Sequence, residues 1–414
     1  MRWKRFWLGL ILGAIVSTGI ACTKTALQTP PSPNEPQAVA PVEQTESADA
    51  VSEAPSANAE QAAPVELPPA TQQILASLGQ PLYEPPRGDL RMVVMSDLNG
   101  VYGSTDYDPE VDTGMALIPF WHPDLVVCSG DMVAGQDLTL TPEQIQAMWS
   151  AFDEHVAAPL REVSLPYGFT IGNHDASSAL GVNDSPLFQQ ERDLAAAYWQ
   201  DAGHNPGVEF VDRFEFPFYY TFRHGDVFFM AWDGSSSHIP KEKLAWVEQA
   251  LSSEEAQNAR MRILLGHLPL YSVAIGRNEP GEVMENADQL RAMLEKYNVH
   301  TYISGHHHAY YPGHRGDLQL LHMGILGSGP RPLIDSDLPP WKAITVVDID
   351  FDTPELTRYT TYDIQTLEQI EYEQLPRFLT GHNGIVVRRD ISYEQLSADE
   401  KAFCEARLGQ EGCT

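Results

Sequence analysis

Metal-binding side chains recur in this sequence directly after short apolar runs. Five runs end in an aspartate, an asparagine or histidines, at Asp97, Asp131, Asn173, His267 and the pair His306 and His308. The carboxyl ends of neighbouring strands lie side by side in an open α/β sheet, so these residues are expected to converge. Carboxylate, amide and imidazole ligands together suit Mn, Fe or Zn rather than Ca or Mg alone.

These residue types indicate two neighbouring metal ions. A carboxylate can bind two cations at once, so Asp131 is the expected bridge, while Asn173 offers a neutral oxygen that leaves the site positive enough to attract phosphate. His306 and His308 are two positions apart, which in an extended segment places both imidazoles on one side and His307, a neighbour, on the other. Two metal ions about 3.5–4 Å apart can stabilise both oxygens of an in-line displacement at phosphorus and acidify a water molecule.

The pattern of apolar residues indicates the elements that position these side chains. Apolar runs without alternation, each followed by a helical segment, are typical of strands covered on both faces by βαβ crossovers. Strands are expected at 91–95, 124–129, 167–171, 261–265, 300–304, 318–325 and 343–350, and a hairpin at 218–222 and 227–232. Helices are expected at 109–121, 243–251, 288–297 and from the N-cap Thr141 to about 160.

Five short motifs together resemble the calcineurin-like metallophosphoesterase superfamily. They are Asp-x-Asn at 97–99, Gly-Asp at 130–131, Gly-Asn-His-Asp at 172–175, Gly-His at 266–267 and Gly-His-x-His at 305–308. Each motif is weak alone, but five in order, each at an expected strand end, are specific. The resemblance implies an α/β fold of the metallophosphatase type, a four-layer α/β/β/α sandwich with two mixed sheets. It also implies hydrolysis of a phosphate mono- or diester with two divalent or trivalent metal ions, Mn, Fe or Zn.

The resemblance also implies a role for each matching residue. One metal ion would be held by Asp97, Asp131 and His308, with Asn99 nearby. The other would be held by Asp131, Asn173, His267 and His306. His174 would contact the phosphate and assist the leaving oxygen, and Asp175 would orient His174. A simpler interpretation of a single aspartate after a strand is that it caps the following helix, but that does not account for the histidines.

Two positions depart from the family pattern. Asn99 stands where the family usually has a histidine, so the first metal ion is expected to be held more loosely or to be a harder ion. Ala134 stands where purple acid phosphatases have a ligating tyrosine, which disfavours that subfamily. A non-catalytic metal- or phosphate-binding lipoprotein therefore stays open as an alternative. A third possibility is an extracellular nucleotidase or phosphodiesterase, with the loops 176–217 and 271–286 shaping its pocket.

The N-terminal segment predicts export and a lipid anchor. Basic residues precede an apolar run at 6–20, which is too short to span a membrane, and residues 19–22 resemble a lipobox ending at Cys22. An ordinary cleaved signal peptide and an uncleaved anchor are the alternatives. The expected organisation is a signal peptide at 1–22, a disordered linker rich in Pro, Ala and Glu at 23–86, the phosphoesterase domain at 87–375 and a tail at 376–414. The protein would then be a membrane-anchored lipoprotein on the periplasmic or cell-surface side.

Charge and cysteines limit the partners further. The chain has 26 Lys and Arg against 57 Asp and Glu, a net charge of −31, so no nucleic-acid partner is expected. The resemblance to the metallophosphoesterases implies a small phosphate ester as substrate. Cys128 is expected to be an inert core thiol, and Cys404 and Cys413 could form a disulfide. Aromatic residues that flank the motifs, Tyr102 among them, are expected to pack in the core.

Overall fold

The computed structural model describes residues 66–353 and 357–413. Its strands are β1 (Leu90–Met95), β2 (Leu125–Cys128), β3 (Tyr167–Phe169), β4 (Glu209–Glu215), β5 (Tyr219–His224), β6 (Val227–Ala231), β7 (Met261–Leu265), β8 (Thr301–Ser304), β9 (Tyr311–Arg315), β10 (Leu318–His322), β11 (Ala343–Ile349), β12 (Arg358–Asp363), β13 (Phe378–Gly381) and β14 (Gly384–Arg388). A strand is present at each of the five apolar runs that end in a motif. The hairpin β5–β6 is also confirmed, with the two strands antiparallel.

The helices lie between these strands and after the last of them. They are α1 (Pro69–Ser77), α2 (Pro109–Trp121), α3 (Pro142–Phe152), α4 (Ala158–Glu162), α5 (Asn173–Ala176), α6 (Gln189–Gln200), α7 (Lys241–Leu251), α8 (Glu254–Asn258), α9 (Ala287–Lys296) and α10 (Ala398–Gly412). The start predicted at Thr141 is confirmed, since its hydroxyl accepts the Gln144 N–H and the Gln144 side chain accepts the Thr141 N–H. Within the described ranges no helix is long and apolar enough to cross a membrane.

Two mixed sheets form the centre of the molecule, as the fold expected from the sequence requires. The five-stranded sheet has the order β12-β11-β1-β2-β3, and the nine-stranded sheet has the order β13-β14-β9-β10-β8-β7-β6-β5-β4. The central pairs β1–β2, β2–β3, β6–β7 and β7–β8 are parallel. Parallel neighbours place their carboxyl ends at one edge, and the candidate ligands follow those ends.

The two sheets are held together by aromatic residues in a continuous apolar core. Tyr220 on the large sheet donates its hydroxyl to the Phe169 carbonyl on the small sheet and accepts the Phe169 N–H. The neighbouring Gly168 leaves room for the ring of Phe222, because a Cβ there would lie 2.5 Å from a ring carbon. Close packing between the sheets fixes their strand ends relative to each other, which a site shared by both sheets requires.

The structure differs from the sequence expectation just before the first strand. Residues 69–77, expected to belong to the disordered linker, form α1, and buried Thr71 donates its hydroxyl to the Ala116 carbonyl of α2 at 2.6 Å. Ile74 and Leu75 pack against the core, so this short segment buries enough apolar surface to be ordered. Residues 1–65, including Cys22, lie outside the described residues, and the signal peptide, linker and lipidation stay predictions.

The C-terminal segment also differs from the expected tail. β13 and β14 extend the nine-stranded sheet, with Val387 paired to His314 of β9. The disulfide between Cys404 and Cys413 is formed, and both cysteines are buried in a small apolar cluster with Ile385 and Val387. The last described residues are therefore connected to the sheet both by strand pairing and by side-chain packing. Cys128 is a buried free thiol, as expected.

Candidate metal centre

The ends of β1, β2 and β8 bring together the three charged or imidazole ligands expected for one metal ion. Asp97, Asp131 and His308 are buried, and one ligand atom from each lies within 4.8 Å of the others. The Nε2 of His308 is 3.3 Å from Oδ1 of Asp97. This group agrees with the set proposed from the sequence for the first ion.

The second expected set lies on the other side of Asp131. The Oδ1 atom of Asn173 is 2.9 Å from Nε2 of His267 and 2.9 Å from Nδ1 of His306. The Oδ2 atom of Asp131 is 3.2 Å from Nε2 of His267. Asp131 therefore lies between the two groups, where a carboxylate shared by two cations would have to lie.

The tautomers of the three histidines direct lone pairs toward these oxygens. The Nδ1 of His267 is 2.8 Å from the Ser129 carbonyl, and the Nδ1 of His308 is 2.9 Å from the Gly329 carbonyl. The Nε2 of His306 is 2.8 Å from Oε2 of Glu282. A carbonyl or carboxylate can only accept, so a neutral ring that donates from that nitrogen carries its lone pair on the opposite nitrogen, which faces the candidate ligand oxygens.

Asn173 makes this convergence of lone pairs unfavourable unless a cation is present. Its Nδ2 donates to Oε1 of Gln136 at 2.7 Å, which turns Oδ1 toward the two imidazoles. An amide oxygen can only accept, so it would be repelled by an unprotonated ring nitrogen at 2.9 Å from each neutral histidine, whereas a protonated His267 would donate to it. A metal ion bound by all three atoms would convert this repulsion into coordination.

Two further oxygens fit a metal-binding role. Oδ2 of Asp131 and Oδ1 of Asn99 are buried and have no hydrogen-bond partner among the described residues. A buried oxygen without a partner costs about 1–3 kcal/mol, so such atoms are rare unless a ligand satisfies them. The residues therefore fit a centre for metal ions, and Asn99, although it replaces a histidine, has a buried side-chain oxygen that is not used in any hydrogen bond among the described residues.

The charges of the aspartates and histidines suit cation binding. Burial disfavours the ionised form of Asp131, but His267 and His174 outweigh burial and lower the pKa of this carboxyl. Burial also disfavours the ionised form of Asp97, but His308 outweighs burial and lowers the pKa of this carboxyl. Burial lowers the pKa of His267, but Asp131 outweighs it and raises the pKa to about 9, so a proton and a metal ion compete for the same nitrogen. Burial lowers the pKa of His306 to about 4, which keeps this ring neutral.

The backbone at the ligands is unusual, and one sequence expectation is wrong here. The φ angles of His306 and His308 are 63° and 53°, so these two residues have a left-handed backbone and residues 306–308 are not an extended segment. Asp97 and Asp131 have φ angles of 52° and 56°. The expectation that His307 is a neighbour agrees with its contacts: it is buried, its Nδ1 accepts the Val273 N–H, and its Nε2 is bonded to a backbone carbonyl.

Glycines in the motifs allow the loops to approach the ligands closely. A Cβ at Gly172 would lie 2.1 Å from Oδ1 of Asp131, and a Cβ at Gly305 would lie 2.5 Å from Oδ2 of Asp97. Both positions therefore exclude any larger residue unless the aspartates move. This contact explains in physical terms why Gly precedes Asn173 and His306 in the sequence.

His174 lies beside the ligand set without belonging to it. Its backbone N–H donates to Oδ1 of Asp131 at 2.8 Å, and its Nδ1 is 3.0 Å from the Gly135 carbonyl. The Nε2 atom is 4.0 Å from Oδ2 of Asp131, and the side chain is 12% exposed. The ring is thus fixed by its Nδ1 and presents Nε2 near the candidate metal ligands, where it can accept or donate a proton.

The expectation that Asp175 orients His174 is wrong. Asp175 instead accepts four backbone N–H groups, those of Asp131, Met132, Val133 and Gly172, at 2.7–3.0 Å. His174 is held by the Gly135 carbonyl, which leaves no ring nitrogen for Asp175. Burial and the charge of Asp131 raise the pKa of Asp175 to about 7, although its N–H donors act in the opposite direction. The residue therefore shapes the backbone around Asp131 and does not face a substrate.

Sequence reasoning missed Glu282, which contacts a candidate ligand. Its carboxylate bonds to His306 at 2.8 Å and pairs with the guanidinium of Arg277. The hydrogen bond from His306 lowers the pKa of Glu282 to about 2 against the effect of burial, and Arg277 contributes. Such a carboxylate fixes the tautomer and orientation of a ligating histidine. No motif surrounds Glu282, and the only signal was its position in the loop 271–286.

Comparison with known proteins identifies the class to which this fold and centre belong. The sequence model of the calcineurin-like phosphoesterases matches residues 90–310, more than half of the 414-residue chain. The chain therefore belongs to the calcineurin-like phosphoesterase family, whose members use divalent metal ions. No curated protein matches the chain by sequence.

Solved structures with a similar fold come from several different organisms. A purple acid phosphatase of yellow lupin is 16% identical with a TM-score of 0.47; the match covers 70% of this chain and 54% of the lupin chain. The anchor protein of the Plasmodium inner membrane complex is 15% identical with a TM-score of 0.43, covering 78% of this chain and 96% of that one. A dimetal phosphatase of Danio rerio is 13% identical with a TM-score of 0.41, covering 66% and 95%. The match thus spans about half the length of the lupin enzyme.

Proposed function

We propose that the protein hydrolyses phosphate mono- or diesters at a centre of two metal ions. The observation that carries this proposal is the position of Asn173 Oδ1, which lies 2.9 Å from one nitrogen of His267 and 2.9 Å from one nitrogen of His306. With both rings neutral, three lone pairs converge there, next to the buried Oδ2 of Asp131, which has no hydrogen-bond partner among the described residues. Asp97, Asn99 and His308 supply further oxygen and nitrogen ligands on the opposite side of Asp131.

Each side chain has a definite part in this proposal. Asp97, Asp131 and His308 would hold one ion and Asp131, Asn173, His267 and His306 the other, with Mn, Fe or Zn suited to the mixed ligands. Bound metal ions would supply positive charge that stabilises the phosphoryl oxygens and lowers the pKa of water. The cationic form of His174 would donate its Nε2 proton to the leaving oxygen and become neutral, while its Nδ1–H stays hydrogen-bonded to the Gly135 carbonyl.

Comparison of two substitutions tests this centre. Asp131→Asn should abolish metal-dependent hydrolysis of 4-nitrophenyl phosphate and its bis ester, because Asp131 is shared by both groups of ligands. Asn99→Ala should lose much less activity and metal, since Asn99 offers one neutral oxygen to one side. Metal content measured by mass spectrometry and kcat measured on the same samples give both quantities. Equal losses of metal and activity in the two variants would contradict the assignment of Asn99 as a peripheral ligand.

One observation favours a second candidate function. Asn99 replaces a histidine at the first site, so that site can bind its ion too weakly for catalysis and leave a non-catalytic metal- or phosphate-binding protein. The two functions differ in turnover. Purified protein that binds Mn, Fe or Zn and binds phosphate, but hydrolyses neither 4-nitrophenyl phosphate nor its bis ester with any of the three metals, would support the second function and contradict the first.

We also propose that hydrolysis takes place outside the cytoplasm, with the protein attached to a membrane by a lipid on Cys22. The support is in the sequence: a basic start, a short apolar run and a lipobox-like segment before Cys22. Cys22→Ala should abolish incorporation of a palmitate analogue in a bacterial host, while hydrolysis by the purified protein stays unchanged. Wild-type protein that incorporates no label would contradict the lipid anchor without affecting the proposal for the metal centre.

A further inference from the structure

Tyr102 is an exposed aromatic residue beside His174. Its ring centroid lies 5.0 Å from that of the His174 imidazole, with an angle of 49° between the ring planes. The side chain is 61% exposed, and the preceding Val101 is 73% exposed. Core packing was the role expected for the aromatic residues near the motifs, and Tyr310, which is 1% exposed, has it. Tyr102 does not, so its position needs another explanation.

The position of Tyr102 relative to His174 is fixed by the backbone. The N–H of Gly103 donates to the Ala134 carbonyl at 2.6 Å. Gly135, which follows Ala134, makes two hydrogen bonds to His174. Its carbonyl pairs with the imidazole Nδ1, and its N–H donates to the His174 carbonyl at 2.9 Å. Both side chains are therefore attached to the same short segment after Asp131. The backbone that carries Tyr102 cannot move away from His174 unless these hydrogen bonds break.

The ring of Tyr102 lies where the leaving group of a phosphate ester would be. The proposed function assigns to His174 the proton that the leaving oxygen receives, so the group attached to that oxygen must extend past His174. An exposed aromatic ring fixed next to His174 offers this group an apolar surface. Aromatic rings contribute about 0.5–1.5 kcal/mol beyond burial of area when another ring stacks on them at a centroid distance of 4.5–7 Å.

We propose that Tyr102 is a specificity-determining residue that binds the leaving group, and that the preferred substrates are phosphate esters whose leaving group carries a flat aromatic ring. This inference rests on the proposed phosphoesterase activity and on the role of His174. An aryl ester or an ester with a base-bearing group would stack on the free side of the Tyr102 ring. A small alkyl leaving group would leave the ring in solvent and gain nothing from it.

Two substitutions and two substrates separate stacking from a purely structural role. Tyr102→Leu keeps an apolar side chain but removes the ring, and Tyr102→Phe keeps the ring. Each variant and the wild type are assayed with phenyl phosphate and with hexafluoroisopropyl phosphate, whose alcohol is similar in acidity to phenol but is not aromatic. Tyr83→Leu is the matched control, because Tyr83 is also exposed, at 46%, and precedes β1 away from the motifs.

The expected result is a change confined to the aromatic substrate. Tyr102→Leu should lower kcat/KM for phenyl phosphate about 3- to 10-fold, mainly through KM, and alter that for the fluoroalkyl ester less than about 2-fold. Tyr102→Phe and Tyr83→Leu should resemble the wild type with both esters. Equal losses on the two esters would show that Tyr102 only positions His174, and would overturn the inference while the phosphoesterase activity stands. A wild type that hydrolyses neither ester in the presence of Mn, Fe or Zn would overturn the proposed function itself.

Discussion

Replacement of Asp175 by asparagine tests whether this residue shapes the backbone around Asp131. The carboxylate accepts four N–H groups, two on each oxygen: Met132 and Val133 on Oδ1, and Asp131 and Gly172 on Oδ2. Asparagine keeps one acceptor oxygen and places an NH₂ group opposite the other two donors. At least two buried N–H groups then lose their partners.

The expected loss of stability follows from these two donors. Each buried and unsatisfied N–H costs about 1–3 kcal/mol, so Asp175→Asn should lower the free energy of unfolding by about 2–6 kcal/mol. That is a large part of the about 5–15 kcal/mol that stabilises an ordinary domain. Urea denaturation at equilibrium, with metal removed by a chelator, measures the change from the shift in midpoint at constant slope.

A control and a contrary outcome make this test decisive. Asp201 is exposed, and its Oδ1 accepts only the Gly203 N–H at 2.8 Å, a bond that asparagine can also form. Asp201→Asn should therefore change the free energy of unfolding by no more than about 0.5 kcal/mol. A loss below about 1 kcal/mol for Asp175→Asn, together with a large fall in kcat, would refute the structural role and favour the rejected one, in which Asp175 acts through His174.

Three further predictions concern the surroundings of the centre. His174→Ala should lower kcat by about 10²–10⁴-fold with metal content unchanged, and the loss should shrink as the leaving group becomes more acidic in a phenyl phosphate series; a uniform loss would exclude proton donation. Glu282→Gln should weaken binding of one metal ion about 10- to 100-fold in calorimetric titration, because His306 loses its charged partner, whereas the exposed Glu285→Gln should bind like the wild type. Burial raises the pKa of Glu191 from 4.5 to about 7 in the folded protein, so the folded state favours the protonated carboxyl. The stability that this group contributes is therefore lost as the pH rises from about 4.5 through 7. The Tm of the wild type should therefore fall relative to Glu191→Gln over that pH range, and a constant difference would contradict a shifted pKa.

Much of the fold could be predicted because each buried parallel strand is a continuous apolar run in the sequence. The strand 261–265 and the helix 109–121 have the bounds that their apolar patterns predicted. The missed strand β4 has the opposite character: most of its residues, such as Glu209 and Asp212, are charged or exposed, so no apolar run marks it. Edge strands of this kind are defined by pairing to a neighbour, which sequence periodicity alone does not reveal.

The candidate site could be predicted where strand ends position its residues, and could not where loops do. Asp97 and Asp131 follow β1 and β2, which are parallel neighbours in one sheet, so their convergence follows from topology. The turn at 306–308 is different, because left-handed φ angles replace the assumed extended geometry. Glu282 contacts His306 from a loop whose path depends on many weak contacts. Asp175 accepts hydrogen bonds from backbone N–H groups, and the residue types alone do not predict such bonds.

Four candidate ligands have left-handed φ angles, Asp97, Asp131, His306 and His308. For residues with a Cβ this conformation costs on the order of 1 kcal/mol each, less for aspartate, whereas glycine adopts it readily. Glycine would relieve this strain, but at Asp97 and Asp131 it would also leave the backbone N–H groups of His306 and His174 without their acceptors. Stability and metal binding are thus in opposition at His306 and His308, where glycine would relieve backbone strain but remove an imidazole ligand.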